Sequence, residues 1–97
     1  MTERQIFAFL KSQGLSDAGA AGAMGNMFAE SGLNSRNLQN SYEKKLGYTD
    51  ASYTKAVDNG SYRNFAFDKA GYGLCQWTYS TRKAVLLAFA KTCGTSI

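Results

Sequence analysis

The chain has no histidine and no proline, and only two cysteines and one tryptophan among 97 residues. Without histidine a Cys–His nucleophilic site is excluded. Cys75 and Cys93 also lack metal-ligand spacing, so nothing here points to zinc or any other metal. The two thiols can form at most one disulfide, and Cys93 reads as a free thiol at a helix end. The absence of proline fits a compact helical domain with short turns. No apolar run approaches the roughly 20 residues needed to cross a bilayer, so no membrane contact is expected. No basic stretch followed by an apolar run opens the chain, so no signal peptide is seen. No residue set suggests a cofactor.

What is present fits one small domain, with no room for a second core. A hydrophobic fraction of 44% with 19% charged residues is ordinary for a globular chain and argues against disorder. The net charge of +4 suggests an anionic partner. The eleven lysines and arginines are scattered, however, and Lys44–Lys45 and Arg82–Lys83 are the only adjacent pairs. With no basic stripe and no nucleic-acid fingerprint, nucleic acid is not expected as a partner.

Helix signals recur along the chain. Thr2 with Gln5 forms a capping box for a helix through Gln13, with Ile6, Phe7, Phe9 and Leu10 apolar and Gly14 ending it. Ser16 caps a second helix from Asp17 to about Ser31, ended by Gly32. That helix is rich in Ala and Gly, and each interior glycine costs about 1 kcal/mol against alanine. Such a helix is expected to be buried, with neighbours approaching its backbone closely and Met24, Met27 and Phe28 anchoring it. Residues 33–40 read as a polar loop. Ser41–Leu46 reads as a short helical turn ended by Gly47. Thr49 caps a helix from Asp50 to Val57, and Asp58–Asn59–Gly60 is a turn. The aromatic stretch 61–70 is expected to make a helical turn or two, with strand as the alternative. Gly71–Tyr72–Gly73 suits a tight bend where backbone comes near a ligand or another segment. Ser80 is expected to cap the last helix, Thr81 to Thr92, with Gly94 at its end. The class is all-α.

Within this frame Glu30 stands apart. It lies in the last turn of the small, apolar second helix. The negative end of the helix dipole and apolar neighbours both disfavour its charged form, which is expected to raise its pKa. A carboxyl that keeps its proton can protonate a leaving oxygen, as a glycosidase general acid does. Position alone favours an ordinary solvated glutamate, and the neighbours change the odds. Ala29-Glu30-Ser31-Gly32-Leu33-Asn34, followed by Gly71-Tyr72-Gly73-Leu74-Cys75-Gln76-Trp77, resembles the motif pair of the goose-type lysozyme and lytic transglycosylase superfamily. With the block Asn37 to Gly47 between them, the spacing is most similar to the phage tail lysozyme family, over nearly the whole chain. The resemblance implies a lysozyme-like helical domain around a buried central helix ending at Glu30. It further implies cleavage of the β-1,4 glycan strand of peptidoglycan, a place in a phage tail or at the cell wall, and no cofactor. Anionic wall polymer would also attract the basic charge. A non-catalytic glycan-binding module that kept the fold is the alternative.

The resemblance extends to individual residues. Gln76 matches the cleft glutamine and Tyr72 the aromatic position of that family, and Cys75 stands where an apolar Met or Ala is expected, which reads it as a small buried hydrophobe. Asp68 lies near the place of an acid ahead of the glycine-aromatic-glycine run, offset by one residue, and is the candidate second carboxylate. Thr78 stands where some goose-type enzymes carry another acid, and its hydroxyl can orient a water. Glu43 is a looser candidate. Asn37 and Gln39 carry amides suited to sugar hydroxyls and N-acetyl groups, and Ser31 is expected to orient the loop or Glu30. Trp77 is open between core and sugar stacking, and Tyr79 is a binding candidate. The family resemblance also implies helices beyond Ile97, so a fragment with an exposed last helix and a tendency to self-associate is expected.

Overall fold

The computed structural model describes residues 2–97. Among them are five helices and no strand, so the fold is all-α: α1 (Glu3–Ser12), α2 (Asp17–Ser31), α3 (Asn40–Leu46), α4 (Asp50–Asp58) and α5 (Ser80–Cys93). Local chemistry sets most of the ends. Thr2 accepts the Gln5 N–H while the Gln5 side chain returns to Thr2, closing the capping box of α1. Ser16 caps α2 through the Gly19 N–H, and Thr49 and Ser52 make a reciprocal box at α4. Gly32, Gly47 and Gly94 close α2, α3 and α5 in the left-handed conformation. The last helix departs from expectation. It starts at Ser80, its N-cap is Tyr79, and no side chain caps it.

The core does not lie around α2. It gathers Leu38, Tyr53, Val57, Phe65, Ala70 and Tyr72, with Tyr42, Tyr48, Tyr62, Leu86 and Leu87 packed against it. Tyr53 is its hub. The rings of Tyr48, Tyr62, Phe65 and Tyr72 sit with centroids 5.8, 5.4, 6.0 and 5.5 Å from its own, the edge and tilted geometries aromatic quadrupoles favour. Residues 61–70 are therefore neither helix nor strand. Tyr62 and Phe65 turn inward while Phe67 stays exposed, and the backbone runs through turns.

The expectation of a buried central helix is thus corrected. Ala20 is the one residue α2 buries, and Phe28 stays 65% exposed. Among the described residues the one substantial helix–helix contact is α1 with α2, where Ile6 is the residue α1 buries. Nor does anything crowd the α2 glycines at 22 and 25: a Cβ there would meet open space. The small residues make α2 slender, without a partner using the room. Apolar exposure continues on α1 and α5, at Phe9, Val85 and Phe89.

Beneath Tyr53 lies a buried ion pair. Lys83 and Asp68, with side chains 0% and 1% exposed, meet at 2.5 Å. Asp68 also accepts the hydroxyls of Tyr53 at 2.6 Å and Tyr62 at 2.8 Å and the Ala70 N–H at 3.0 Å. Lys83 donates in addition to the Ala70 carbonyl at 2.8 Å and reaches the Tyr53 hydroxyl at 3.4 Å. Every polar atom of the cluster is paired, as burial requires. Burial lowers the Lys83 pKa and Asp68 opposes that shift. Burial first, and then the hydrogen bond to Asp68, raises Tyr53 and Tyr62 well above the ordinary phenol range.

Candidate active site

The two motifs meet at a small hairpin. Tyr72 and Trp77 exchange backbone hydrogen bonds at 3.2 and 3.1 Å across the turn 73–76. Residues 37–39 run antiparallel beside it, through Gln39 N–H to the Gly71 carbonyl at 2.8 Å and Gly73 N–H to the Asn37 carbonyl at 3.0 Å. Gln76 closes the turn at φ 49, a left-handed conformation that costs a non-glycine residue about 1–3 kcal/mol. Its amide offsets this by donating to the carbonyls of Asn37 at 2.8 Å and Gly73 at 2.9 Å. Gly71 is required by proximity: a Cβ there would stand 2.9 Å from the Gln76 side-chain oxygen and 3.2 Å from that of Gln39. The bend predicted at Gly71–Gly73 accordingly serves another chain segment.

This hairpin holds the end of α2. The Ser31 hydroxyl lies 2.9 Å from both the Met27 carbonyl of its own helix and the Leu74 carbonyl of the turn, and shares its proton between them. One residue earlier, Glu30 is exposed and makes no side-chain hydrogen bond or ion pair among the described residues. It borders a hollow of about 330 Å³ with Ala23, Asn26, Met27 and Cys75. The enclosure expected around Glu30 is therefore one-sided, supplied by Ala23, Met27 and Cys75. Cys75 is exposed rather than buried, and both cysteines are free thiols. Asn26, one helical turn before Glu30 on the same face, escaped sequence reasoning, although its spacing of four residues was there to be read. An adjoining apolar hollow of about 310 Å³ shares Met27 and Cys75 with the first and is walled by Leu74, Trp77 and Leu86. The structure thus brings Glu30 and the half-buried Trp77 onto one continuous stretch of surface.

Other candidates lie elsewhere. Tyr72 is 1% exposed, with its hydroxyl 2.6 Å from that of Thr54. Burial raises it to about 12, and it presents no ring face to a sugar. Asp68 is locked in the buried pair with Lys83, so its carboxylate meets no cleft. The signal for this was the lysine fifteen residues on, which in the sequence counts only as half of the adjacent pair Arg82–Lys83. Glu43 lies beside Asp50: a hydrogen bond shared with Asp50, then burial, then the Asp50 charge raise its pKa. Asp50 itself accepts the Leu38 N–H at 2.9 Å and the Asn34 amide at 3.1 Å, pinning the loop ahead of α3. Asn37 contributes its carbonyl to the hairpin, and Gln39 accepts the Gly71 N–H at 2.9 Å. Gln39, Thr78 and Tyr79 come together in a pocket of about 600 Å³ that Glu30 does not line. Among the described residues no cluster of potential metal ligands occurs, and no helix is long and apolar enough to cross a membrane.

No match to the chain was found among curated proteins or among solved structures. Matched from residue 1 to residue 97, its whole length, the chain belongs to the phage tail lysozyme family, a lysozyme-like, peptidoglycan-acting group whose name fits a place in the phage virion.

Proposed function

We propose that the protein cleaves the β-1,4 bond between N-acetylmuramic acid and N-acetylglucosamine in peptidoglycan, with Glu30 as general acid. The observation that carries this is the free carboxyl of Glu30 at the rim of a hollow, on a helix end fixed by Ser31 to the second motif. A general acid needs a carboxyl with an open path to the leaving oxygen and a rigid mount. Glu30 has both, and a glycan laid over the hollow would shut water out there. Asn26 is placed to hold an N-acetyl group or a water beside it. Cys75 and Trp77 extend the surface available to neighbouring sugars.

Among the described residues no second carboxylate lines that hollow. This favours a second reading of the later step, in which the sugar's own groups trap the oxocarbenium-like carbon, as a lytic transglycosylase does, in place of an enzymic base guiding water. The two readings share Glu30 and differ in product. Anhydro-muramyl ends mean intramolecular trapping, and reducing ends mean attack by water.

The test is Glu30→Gln on purified walls, with mass analysis of released fragments. General acid–base catalysis contributes about 10²–10⁴-fold, so lysis should fall by that order while the thermal midpoint hardly moves, because the residue is exposed. Lysis by the variant at the parent rate would remove Glu30 from the mechanism. A parent that binds glycan without cleaving it would show a binding module instead.

A further inference from the structure

A pocket larger than the one beside Glu30 lies elsewhere on the molecule. It has a volume of about 600 Å³, and its lining includes Tyr42, Phe67, Tyr79, Gln39, Thr78 and Lys69. Phe67 and Tyr79 are 70% and 73% exposed, and both rings line this one pocket. Lys69 is exposed, stands in the left-handed conformation at φ 63, and makes no ion pair or side-chain hydrogen bond among the described residues. Among the described residues no acidic side chain lines the pocket. A second ammonium, that of Lys45, lies 5.0 Å over the Tyr42 ring. The uncapped start of α5 at Tyr79 adds charge of the same sign. The hollow beside Glu30 has the opposite character, with a carboxyl and no cation.

We propose that this pocket recognises the muramyl peptide stem of the wall strand: Phe67 and Tyr79 pack against the sugar and the first stem residues, and the Lys69 ammonium pairs with a stem carboxylate. The inference rests on the glycan-cleavage reading for its choice of ligand. Flat apolar rings with a free cation suit a ligand that joins pyranose and peptide faces to a carboxylate. The pocket also shares its framework with the acid. Gln39 lines it while taking the Gly71 N–H, and Gly71 leads into the hairpin whose Leu74 carbonyl holds Ser31. A strand lying across both sites would carry its stem toward Lys69 while its glycosidic bond meets Glu30. Cleavage would then favour strands with free stem carboxylates over bare or amidated ones.

The experiment is a binding titration on the Glu30→Gln protein, so that the probes stay intact. It uses the wall disaccharide carrying a dipeptide with free carboxylates, and the same compound with them amidated. The Glu30→Gln protein should bind the free acid about two- to fivefold tighter, the worth of an exposed ion pair. Adding Lys69→Gln should erase that preference without weakening the amidated probe, and Lys69→Arg should keep it. Tyr79→Ala should weaken both probes alike. Equal affinity for the two probes, a preference that survives Lys69→Gln, or no binding of either overturns the proposal. So does tighter binding of a glycerol-phosphate oligomer, which would assign the pocket to a different wall polymer. A parent that fails to cleave, combined with a carboxylate preference that depends on Lys69, would sink the cleavage reading and leave the pocket standing.

Discussion

Lys83 shows how one residue can reverse the meaning of another. In the sequence it belongs to one of two adjacent basic pairs and Asp68 is a free acid near a motif; in the fold the two close on each other beneath Tyr53. Removing one partner of a buried pair strands the other, at a cost of about 3–5 kcal/mol. Lys83→Met should therefore lower stability by that order in urea titration, and Asp68→Asn by somewhat less, since the amide still accepts from Tyr53 or Tyr62. Lysis per folded molecule should survive in Asp68→Asn; a folded but inactive variant would restore Asp68 as a catalytic candidate. Ser31 acts at the same scale with the opposite balance. Its hydroxyl is one bond of about 0.5–1.5 kcal/mol in stability, yet it ties the helix end bearing Glu30 to Leu74. Ser31→Ala should leave the thermal midpoint within a few degrees and lower kcat more than it raises KM, with Ser31→Thr recovering part of the loss. Equal loss in stability and activity would reduce Ser31 to a structural residue.

Among the elements, most helix ends were legible, the start of α5 excepted, and helix environments were not. A cap is a contact between residues three or four apart, so Thr2 with Gln5, Ser16 with Gly19 and Thr49 with Ser52 could be found without the fold. So could the glycines closing α2, α3 and α5. Burial depends on partners distant in sequence, and there the small residues of α2 misled: room for close approach does not bring a neighbour. The stretch 61–70 failed for a related reason, since Tyr62 and Phe65 are placed by the Tyr53 hub and by Asp68, not by any local period. Glu30 at the end of α2 was legible, because Gly32 fixes where that helix stops. Lys69 and Phe67 were not, because the pocket they line forms only when 66–69 meets 78–80. The bareness of α2 carries a prediction. Gly22 and Gly25 face open space in helical conformation, so alanine there removes an entropic cost without a clash. Each change should raise unfolding stability by about 0.5–1 kcal/mol, additively and with lysis unchanged. Destabilisation would mean that a neighbour does use the space.

At the scale of the molecule, stability is concentrated in one tyrosine-rich core, and that sets its limit at high pH. Tyr53, Tyr62 and Tyr72 all keep their protons above the ordinary phenol value of 10.0, chiefly because burial disfavours phenolate. As pH rises past that value, the unfolded chain releases these three protons while the native one holds them. The unfolded state then binds fewer protons, and stability falls with pH. Lys83 works the other way. Its folded value is lowered from 10.5, so between the two values the unfolded chain carries a proton the native one lacks, and stability rises with pH. That gain is complete once pH passes 10.5, whereas the loss from the three phenols continues beyond it. Stability should therefore hold to about pH 10 and then collapse cooperatively. Phenolate absorbance and helical circular dichroism, followed together through an alkaline titration, test this. The buried tyrosines should ionise in the same step in which the helix signal is lost, and replacing Tyr72 by Phe, which removes one of the three protons, should make the fall with pH less steep. Ionisation of every tyrosine with the helices intact would mean that the core admits phenolate, and the coupling of fold to protonation would be wrong.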